Sequence, residues 1–316
     1  MFKRLRIYFK EMYPFFTRMA LGFIVFLEIY FMIVLNMTEC EKSFEGFAFS
    51  KMNIPEVLVG GFTIFCFLMF LRIADDFKDY ELDCRLFAHR PLPSGRVTKK
   101  DLKICLAFFT VLVIILNVIF MHDQNLLFFG ILYFYGFLMS KWFFQKSKIQ
   151  PSLPLALVTH NPVQMFINLY IISYTLASYD INFLEVSPIM KLKIVLTLLT
   201  LYFPALIWEI ARKIKAPEDE NEYTTYSKLF GYKKATRFIL ILTIVDIITN
   251  FILVWSLNKI SVALLFVIVV WMTVQFVKFM KDPTKFKIVT KVEQYTYIQE
   301  SIMLLTVALY LVIGAV

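Results

Sequence analysis

Long apolar segments alternate with short polar segments along the whole chain. Nine of the apolar segments are long enough to cross a bilayer as helices, which takes roughly 17–25 residues. They are residues 14–36, 55–74, 102–121, 125–144, 154–176, 191–208, 236–257, 260–280 and 299–315. The pattern predicts an all-α integral membrane protein with nine transmembrane helices, which form a single polytopic domain over residues 1–316.

The composition agrees with this prediction and argues against a soluble domain. Hydrophobic residues make up 59% of the chain and charged residues 18%, whereas soluble domains have roughly 45–50% apolar and about 25% charged residues. Of the Lys and Arg residues in the loops and the N-terminal segment, 26 lie on the side of the N-terminus and 5 on the opposite side. This asymmetry predicts a cell-membrane protein whose N-terminus is cytoplasmic. Because no basic surface stands apart from the apolar segments, we expect membrane lipid but no nucleic acid as a partner.

Two loops on the cytoplasmic side are long and rich in acidic residues. They span residues 75–101 and 209–235, and they follow the second and the sixth apolar segment. Since these segments are four helices apart, the sequence predicts two four-helix halves, each with one acidic loop, and one additional helix.

Three aspartates at intervals of four residues begin the first of these loops. Asp75, Asp79 and Asp83 would lie about 6 Å apart on one face of a helix. There they repel one another unless a cation lies between them. Mg²⁺ is a common cation of this kind and often arrives with a phosphorylated substrate. The stripe therefore predicts diphosphate chemistry at the membrane surface.

A Pro-rich segment, residues 90–95 (Arg-Pro-Leu-Pro-Ser-Gly), follows the stripe and folds the chain back towards the membrane. Together the two features resemble the UbiA-type intramembrane prenyltransferase superfamily, whose first motif is NxxxDxxxD; Asp75 stands in the Asn position. The resemblance covers the whole chain and implies nine helices around a central apolar cavity. It also implies Mg²⁺-dependent transfer of a prenyl group from an isoprenyl diphosphate to a lipophilic acceptor. Asp75, Asp79 and Asp83 would then be catalytic, metal-binding residues.

The second acidic motif of the family should follow the sixth apolar segment, and there the sequence departs from the family. Glu209 lies where the motif begins, and Glu218 lies where the last family acid tends to fall. Arg212 and Lys213 stand where acids are expected. Two interpretations stay open. In one, Glu209 with Glu218 or Asp219 binds a second Mg²⁺ and takes part in catalysis. In the other, Arg212 and Lys213 bind the diphosphate directly, and fewer carboxylates are needed.

Further candidates lie near the ends of the apolar segments. Arg18 can face anionic oxygens at the cytoplasmic end of the first segment, and Arg90 is a candidate for binding the diphosphate. By the resemblance, Lys141 would also contact the diphosphate and Asn161 would line the cavity. Arg18 and Lys141 are equally well explained as residues that anchor helix ends at the lipid headgroups. Glu28 lies in mid-span and has no evident partner.

Two other functions compete with a prenyltransferase. A UbiA-type terpene cyclase would ionise the same diphosphate without an acceptor, and the unusual second motif leaves room for it. A transporter is not favoured, because the acids lie in loops on one side and no mid-span pair of acids is evident. The sequence does not identify the acceptor.

Overall fold

The computed structural model describes residues 1–42, 44, 52–220 and 224–313. Within these residues the regular structure is entirely helical. The α-helices are α1 (Phe2–Glu11), α2 (Phe15–Cys40), α3 (Ile54–Lys78), α4 (Tyr80–Leu86), α5 (Lys99–Phe120), α6 (Asp123–Ser140), α7 (Lys146–Ile149), α8 (Leu153–His160), α9 (Val163–Ser178), α10 (Pro188–Thr197), α11 (Tyr202–Ala211), α12 (Tyr226–Phe230), α13 (Tyr232–Val254), α14 (Lys259–Lys281) and α15 (Ile288–Ile313). Short 3₁₀ helices occupy Trp142–Phe144 and Pro217–Asp219.

Eight segments of the described chain are long and apolar enough to cross a membrane. They are formed by α2, α3, α5, α8 with α9, α10 with α11, α13, α14 and α15. The remaining predicted span, residues 125–144, corresponds to α6, which has 18 residues. The first turn of α6 is polar (Asp123, Gln124 and Asn125), which shortens its apolar stretch. The multi-pass membrane architecture is confirmed, whereas the count of nine helices and the cytoplasmic N-terminus stay predictions.

Two of the eight segments are interrupted helices. α8 and α9 are separated at Pro162, which has no amide hydrogen to continue the helix. α10 and α11 are separated at residues 198–201. The side-chain amide of Asn168 donates to three main-chain carbonyls of this second break, at 3.3, 3.1 and 2.5 Å. Asn168 thereby satisfies groups that an interrupted helix leaves open in an apolar environment.

The helices form two compact units. Unit 1 comprises Met1–Leu27, Ala48–Ser147 and Leu169–Asp180, and unit 2 comprises Glu28–Phe47, Lys148–Asn168 and Ile181–Val316. Three of the boundaries fall inside helices, namely α2, α7 and α9.

In unit 1, α3 packs against α5 and α6. A glycine lets α2 approach α3 closely, since a Cβ atom on Gly60 would lie 2.1 Å from a ring carbon of Phe26. Interior polar groups are paired with one another. The Asn117 amide donates to the Thr63 hydroxyl and accepts from the Tyr170 hydroxyl, both at 2.8 Å. Such bonds fix the register of helices inside a membrane.

In unit 2, α13 packs against α11, α14 and α15, and acidic side chains are buried between helices. Glu28 of α2 and Glu300 of α15 are close enough to interact electrostatically, although Oε1 of Glu28 and both carboxylate oxygens of Glu300 form no hydrogen bond within the described residues. Asp246 of α13 accepts hydrogen bonds from Asn250 at 3.1 Å and from Tyr295 at 3.4 Å. The expectation that no acids pair in mid-span is therefore wrong, because helices far apart in sequence bring these groups together.

Candidate active site

The first acidic motif lies in unit 1, where α3 passes into α4. α3 ends at Lys78, Asp79 has φ −102° and ψ 12°, and α4 begins at Tyr80. Helical main-chain hydrogen bonds still cross the junction, from the Asp79 amide to the Asp75 carbonyl and from the Asp83 amide to the Asp79 carbonyl, both at 2.9 Å. The predicted stripe is thus bent at its central aspartate. Its three carboxylates have different surroundings, since Asp75 is exposed, Asp79 is half-buried and Asp83 is buried.

Two motif carboxylates are buried and paired with arginines. Both oxygens of Asp83 accept from Nη1 of Arg90, at 2.9 Å each. Asp76, to which the sequence analysis gave no role, accepts from Arg72 at 2.5 Å and from the Tyr8 hydroxyl at 2.6 Å. Burial and the Asp76 carboxylate raise the pKa of the Tyr8 phenol. Tyr8 therefore stays a hydrogen-bond donor at any physiological pH.

The two buried carboxylates face one narrow cleft. Besides these groups, the cleft is lined by Met12, which follows α1, and by Leu92 and Pro93 of the Pro-rich segment. The turn in this segment is closed by a hydrogen bond of 3.2 Å from the Gly95 amide to the Leu92 carbonyl. Gly95 has φ of 76°, which favours glycine. The turn follows Arg90, whose guanidinium lies against the Asp83 carboxylate.

The central aspartate is the motif acid with an uncompensated charge. Lys78 lies 2.8 Å from the Asp75 carboxylate, so every motif aspartate except Asp79 forms an ion pair within the described residues. Burial, followed by the neighbouring motif carboxylates, raises the pKa of Asp79; Lys78 and Lys146 act in the opposite direction. A cation bound beside Asp79 would compensate the negative charge of its carboxylate.

The second acidic loop lies in unit 2 and begins at the end of α11. The Glu209 carboxylate is held by Arg212 at 2.6 Å and by Lys213 at 2.8 Å. Glu218 and Asp219 lie in the 3₁₀ helix and are exposed. The acid and the two bases that the sequence analysis selected are therefore in contact, whereas the two acids further along stand apart in solvent.

A different acid organises the rest of this loop. The Thr225 hydroxyl donates to both oxygens of Glu220 at 2.8 Å, and the Ser227 hydroxyl donates to the same carboxylate. The Lys215 amide in turn donates to the Ser227 hydroxyl at 2.9 Å. Residues 221–223 of the predicted loop lie outside the described part of the chain. The contacts make Glu220 the acid that closes this loop.

The other predicted residues lie at the ends of helices. Lys141 is exposed directly after α6, and the three aromatic residues after it (142–144) have φ between 48° and 57°, a left-handed turn that costs roughly 1–2 kcal/mol per residue. Arg18 is exposed, with its guanidinium 5.9 Å from the centre of the Tyr13 ring. Asn161 lies at the break between α8 and α9, and its buried Nδ2 has no hydrogen-bond partner in the described residues. An unsatisfied donor is what a cavity-lining amide would present.

Some residues of the cleft carried a signal in the sequence and one did not. Asp76 and Asp83 are seven residues apart and so face the same side of a helix, and Arg72 precedes Asp76 by one helical turn. These intervals could have identified the buried pair. Tyr8 lies 68 residues from Asp76, and nothing in the local pattern connects them.

The ligand chemistry of the motif fits Mg²⁺. Mg²⁺ prefers oxygen ligands and usually binds through one or two carboxylates, with substrate phosphates and water completing its shell. The described residues contain no group of three or more His, Cys, Asp or Glu side chains close enough to hold a metal ion by themselves. A site that shares the metal with its substrate does not need such a group. The motif aspartates are thus suitable as partial ligands.

Some membrane-spanning segments are interrupted helices, and at the end of one span a cleft contains carboxylates paired with arginines. These features define a multi-pass membrane protein with a site for a charged ligand. Residues 44–292 match the model of the UbiA prenyltransferase family. The chain belongs to this family, and it is a prenyltransferase. The resemblance seen in the sequence is confirmed.

A solved structure of digeranylgeranylglyceryl phosphate synthase is similar to this chain. It shares 18% sequence identity, covers 96% of this chain and 97% of its own, and has a TM-score of 0.63. At this identity the similarity establishes the fold. No curated protein sequence matches the chain significantly.

Proposed function

We propose that the protein transfers an isoprenyl group from its diphosphate to a lipophilic acceptor, in a Mg²⁺-dependent reaction at the cytoplasmic side of the cell membrane. The charge arrangement between α3 and α4 carries this proposal. Four aspartates within residues 75–83 have three basic partners. One half-buried carboxylate and three exchangeable ion pairs result. Magnesium diphosphate would supply a cation for the unpaired carboxylate and anionic oxygens for the basic side chains of the ion pairs.

Each residue of the first loop has a role in this proposal. Asp75, Asp79 and Asp83 bind Mg²⁺, which when bound neutralises the diphosphate as a leaving group. Arg90 and Lys141 bind diphosphate oxygens. The planar guanidinium of Arg90 suits this task, since its donors match phosphate geometry. The pairing of Arg90 with Asp83 holds it at the cleft until the substrate arrives.

The reaction needs a dry site. The bond between the allylic carbon and the diphosphate oxygen breaks, and its electron pair leaves with the diphosphate. The acceptor supplies the electron pair of the new bond and loses a proton. Apolar helices keep water from the allylic cation, which would otherwise be hydrolysed. Asn161, whose buried Nδ2 has no hydrogen-bond partner in the described residues, would donate to a polar group in the cavity.

The second loop and α2 complete the proposal. Arg18 is a further diphosphate ligand. Glu209 either binds a second Mg²⁺ or, as its present contacts favour, positions Arg212 and Lys213 for the diphosphate. The first case predicts that Glu209→Gln weakens Mg²⁺ dependence. The second predicts that Arg212→Gln raises KM for the diphosphate, with Mg²⁺ dependence unchanged.

Turnover of an allylic diphosphate by purified protein tests the proposal. With a lipophilic acceptor present, the wild-type protein should release diphosphate only when Mg²⁺ is added. Asp79→Asn should lose on the order of 10²–10³-fold of this activity, by analogy with the loss of one group that stabilises transition-state charge. Asp282→Asn, at a partly buried aspartate outside the acidic loops that is paired with Lys285 at 3.2 Å, is the matched control and should retain full activity. Unchanged turnover in Asp79→Asn would refute the site.

A terpene cyclase is the second candidate, favoured by the departure of the second loop from the family pattern. It would use the same carboxylates and no acceptor. Product analysis with the diphosphate alone separates the two functions. A hydrocarbon product indicates a cyclase, whereas little more than background hydrolysis, followed by turnover when a lipophilic acceptor is added, indicates a transferase. An acceptor screen with quinone precursors, other aromatic compounds and lipids then identifies the acceptor.

A further inference from the structure

The N-terminal helix α1 is fastened to the first acidic loop at both ends. Near its start, Arg4 forms two hydrogen bonds with Asp101, at 2.6 and 2.9 Å. At its end, Glu11 accepts two hydrogen bonds from Arg96, also at 2.6 and 2.9 Å. Two-bond arginine–carboxylate pairs fix orientation as well as position. α1 is therefore held in one place relative to the loop that carries the motif.

The fastening residues share a helix face with Tyr8. Arg4, Tyr8 and Glu11 are spaced four and three residues apart, so their side chains project on the same side. Tyr8 is fully buried, and its hydroxyl ends 2.6 Å from Oδ2 of Asp76. α1 precedes the residues that match the family model, which begin at position 44. The family pattern thus gives no role to a side chain that the fold puts into the cleft.

We propose that Tyr8 is a positioning residue of the first acidic site and that α1 serves to hold it there. On this inference Asp76 is a further carboxylate of the proposed Mg²⁺ site, beside Asp75, Asp79 and Asp83. Tyr8 fixes Oδ2 of Asp76, and Oδ1, which is paired with Arg72 at 2.5 Å, is the oxygen that would face an incoming cation. This inference rests on the proposed Mg²⁺-diphosphate chemistry. Partners that orient carboxylate ligands typically contribute 10–100-fold to metal affinity or activity. Tyr8 is such a partner by geometry.

A purely structural role for Tyr8 is the competing explanation, and the chain offers a matched control. Tyr13 is also buried, at 3% exposure, and its hydroxyl donates to the main-chain carbonyl of Phe65 at 2.8 Å. Tyr8→Phe and Tyr13→Phe each remove one buried hydroxyl and one hydrogen bond. Only Tyr8→Phe removes a bond to a motif carboxylate.

Thermal unfolding of the purified full-length protein, titrated with MgCl₂ without substrate, provides a measurement independent of turnover. In Tyr8→Phe the Mg²⁺ concentration at half-maximal stabilisation should rise at least tenfold, and in Tyr13→Phe it should stay as in the wild type. KM for the diphosphate at limiting Mg²⁺ should follow the same order. Equal behaviour of the two variants would overturn the inference and leave the proposed function intact. A wild type with neither Mg²⁺ stabilisation nor Mg²⁺-dependent turnover would overturn both.

Charge reversal tests whether α1 acts through its fastening. Glu11 and Arg96 are about two-fifths exposed and lie outside the proposed metal ligands. Glu11→Arg and Arg96→Glu should each raise the half-maximal Mg²⁺ concentration several-fold, and the double variant should restore it towards the wild-type value. If the half-maximal Mg²⁺ concentration changes in neither single variant, the hydroxyl of Tyr8 is positioned without the Glu11–Arg96 ion pair. That result would remove α1 from the inference.

Discussion

Replacing Asp79 by asparagine should leave the metal-free protein as stable as the wild type, or more stable. Burial and the neighbouring carboxylates raise the pKa of Asp79 in the folded protein. The sign follows from linkage: the protonated form is favoured by folding, so this stabilisation is lost as the pH rises through the raised pKa. One pKa unit corresponds to about 1.36 kcal/mol. Because Asp79 is only half-buried, solvent screening reduces the gain of Asp79→Asn to about 1 kcal/mol or less.

Magnesium should reverse the order of the two proteins. A ligand at 100 times its Kd stabilises the folded state by about 2.7 kcal/mol, which for a chain of this size corresponds to roughly 4 °C in Tm. The wild type should gain this shift on titration with MgCl₂, and Asp79→Asn should gain much less. The assay is thermal unfolding at pH 7.5 in EDTA and then in increasing Mg²⁺.

Asp282→Asn is the control, and its sign is the opposite. Hydrogen bonds from Thr284 and Lys285 lower the pKa of Asp282, so this variant should lose a little stability and keep the full Mg²⁺ shift. If Asp79→Asn unfolds well below the wild type in EDTA, Asp79 has a structural role and the argument fails. An undiminished Mg²⁺ shift in Asp79→Asn would also refute it.

Four further variants test the packing within each of the two units. Gly60→Ala should cost about 1–3 kcal/mol, since its Cβ would lie 2.1 Å from a ring atom, whereas Gly130→Ala, with open space around it, should be neutral or stabilising; equal Tm values would contradict this. Asn168→Ala should cost about 1–3 kcal/mol, because it removes the side-chain donor of three carbonyls at the helix break, and of these the Thr197 carbonyl also accepts from the Thr200 amide; an unchanged Tm would show that other groups satisfy them. Glu28→Gln should not lower Tm at pH 7.5, because an amide can donate to the Glu300 carboxyl that it faces; a drop of several degrees would show that the acid itself is needed.

The sequence was most informative where one helix determined the answer. Apolar length located the eight spans of the described residues, and the four-residue spacing of Asp75, Asp79 and Asp83 indicated the loop that carries the candidate site. The bend at Asp79 was not predictable, because the helical hydrogen bonds on either side of it are retained. Residues 154–176 were predicted as one continuous span, although Pro162, which lacks an amide hydrogen, could have indicated the interruption. The break at residues 198–201 gave no such sign, since it depends on an asparagine supplied by another helix.

Contacts between distant segments explain the remaining differences. Glu28 was an isolated acid in the sequence, yet α15 brings Glu300 to it. Tyr8 was part of a short basic segment, yet it reaches Asp76 in the cleft. Neither pairing leaves a local pattern, because hydrogen bonds between helices depend on register and not on spacing along the chain.

The ion pairs of the first loop also explain how a strongly acidic motif can exist before its ligand binds. Taking an unpaired carboxylate out of water costs several kcal/mol, and the fold avoids this cost for Asp76 and Asp83 by placing Arg72 and Arg90 against them. The proposed ligand, magnesium diphosphate, would offer Mg²⁺ to the carboxylates and anionic oxygens to the guanidinium groups. On binding, the carboxylates and the arginines would therefore exchange one charged partner for another, and none of them would be left buried without a partner. An exchange of this kind requires that the carboxylates keep their orientation while the arginines turn towards the diphosphate. An uncharged donor such as the Tyr8 hydroxyl is not attracted to the diphosphate in this way, so it can preserve the orientation of the carboxylate that it contacts.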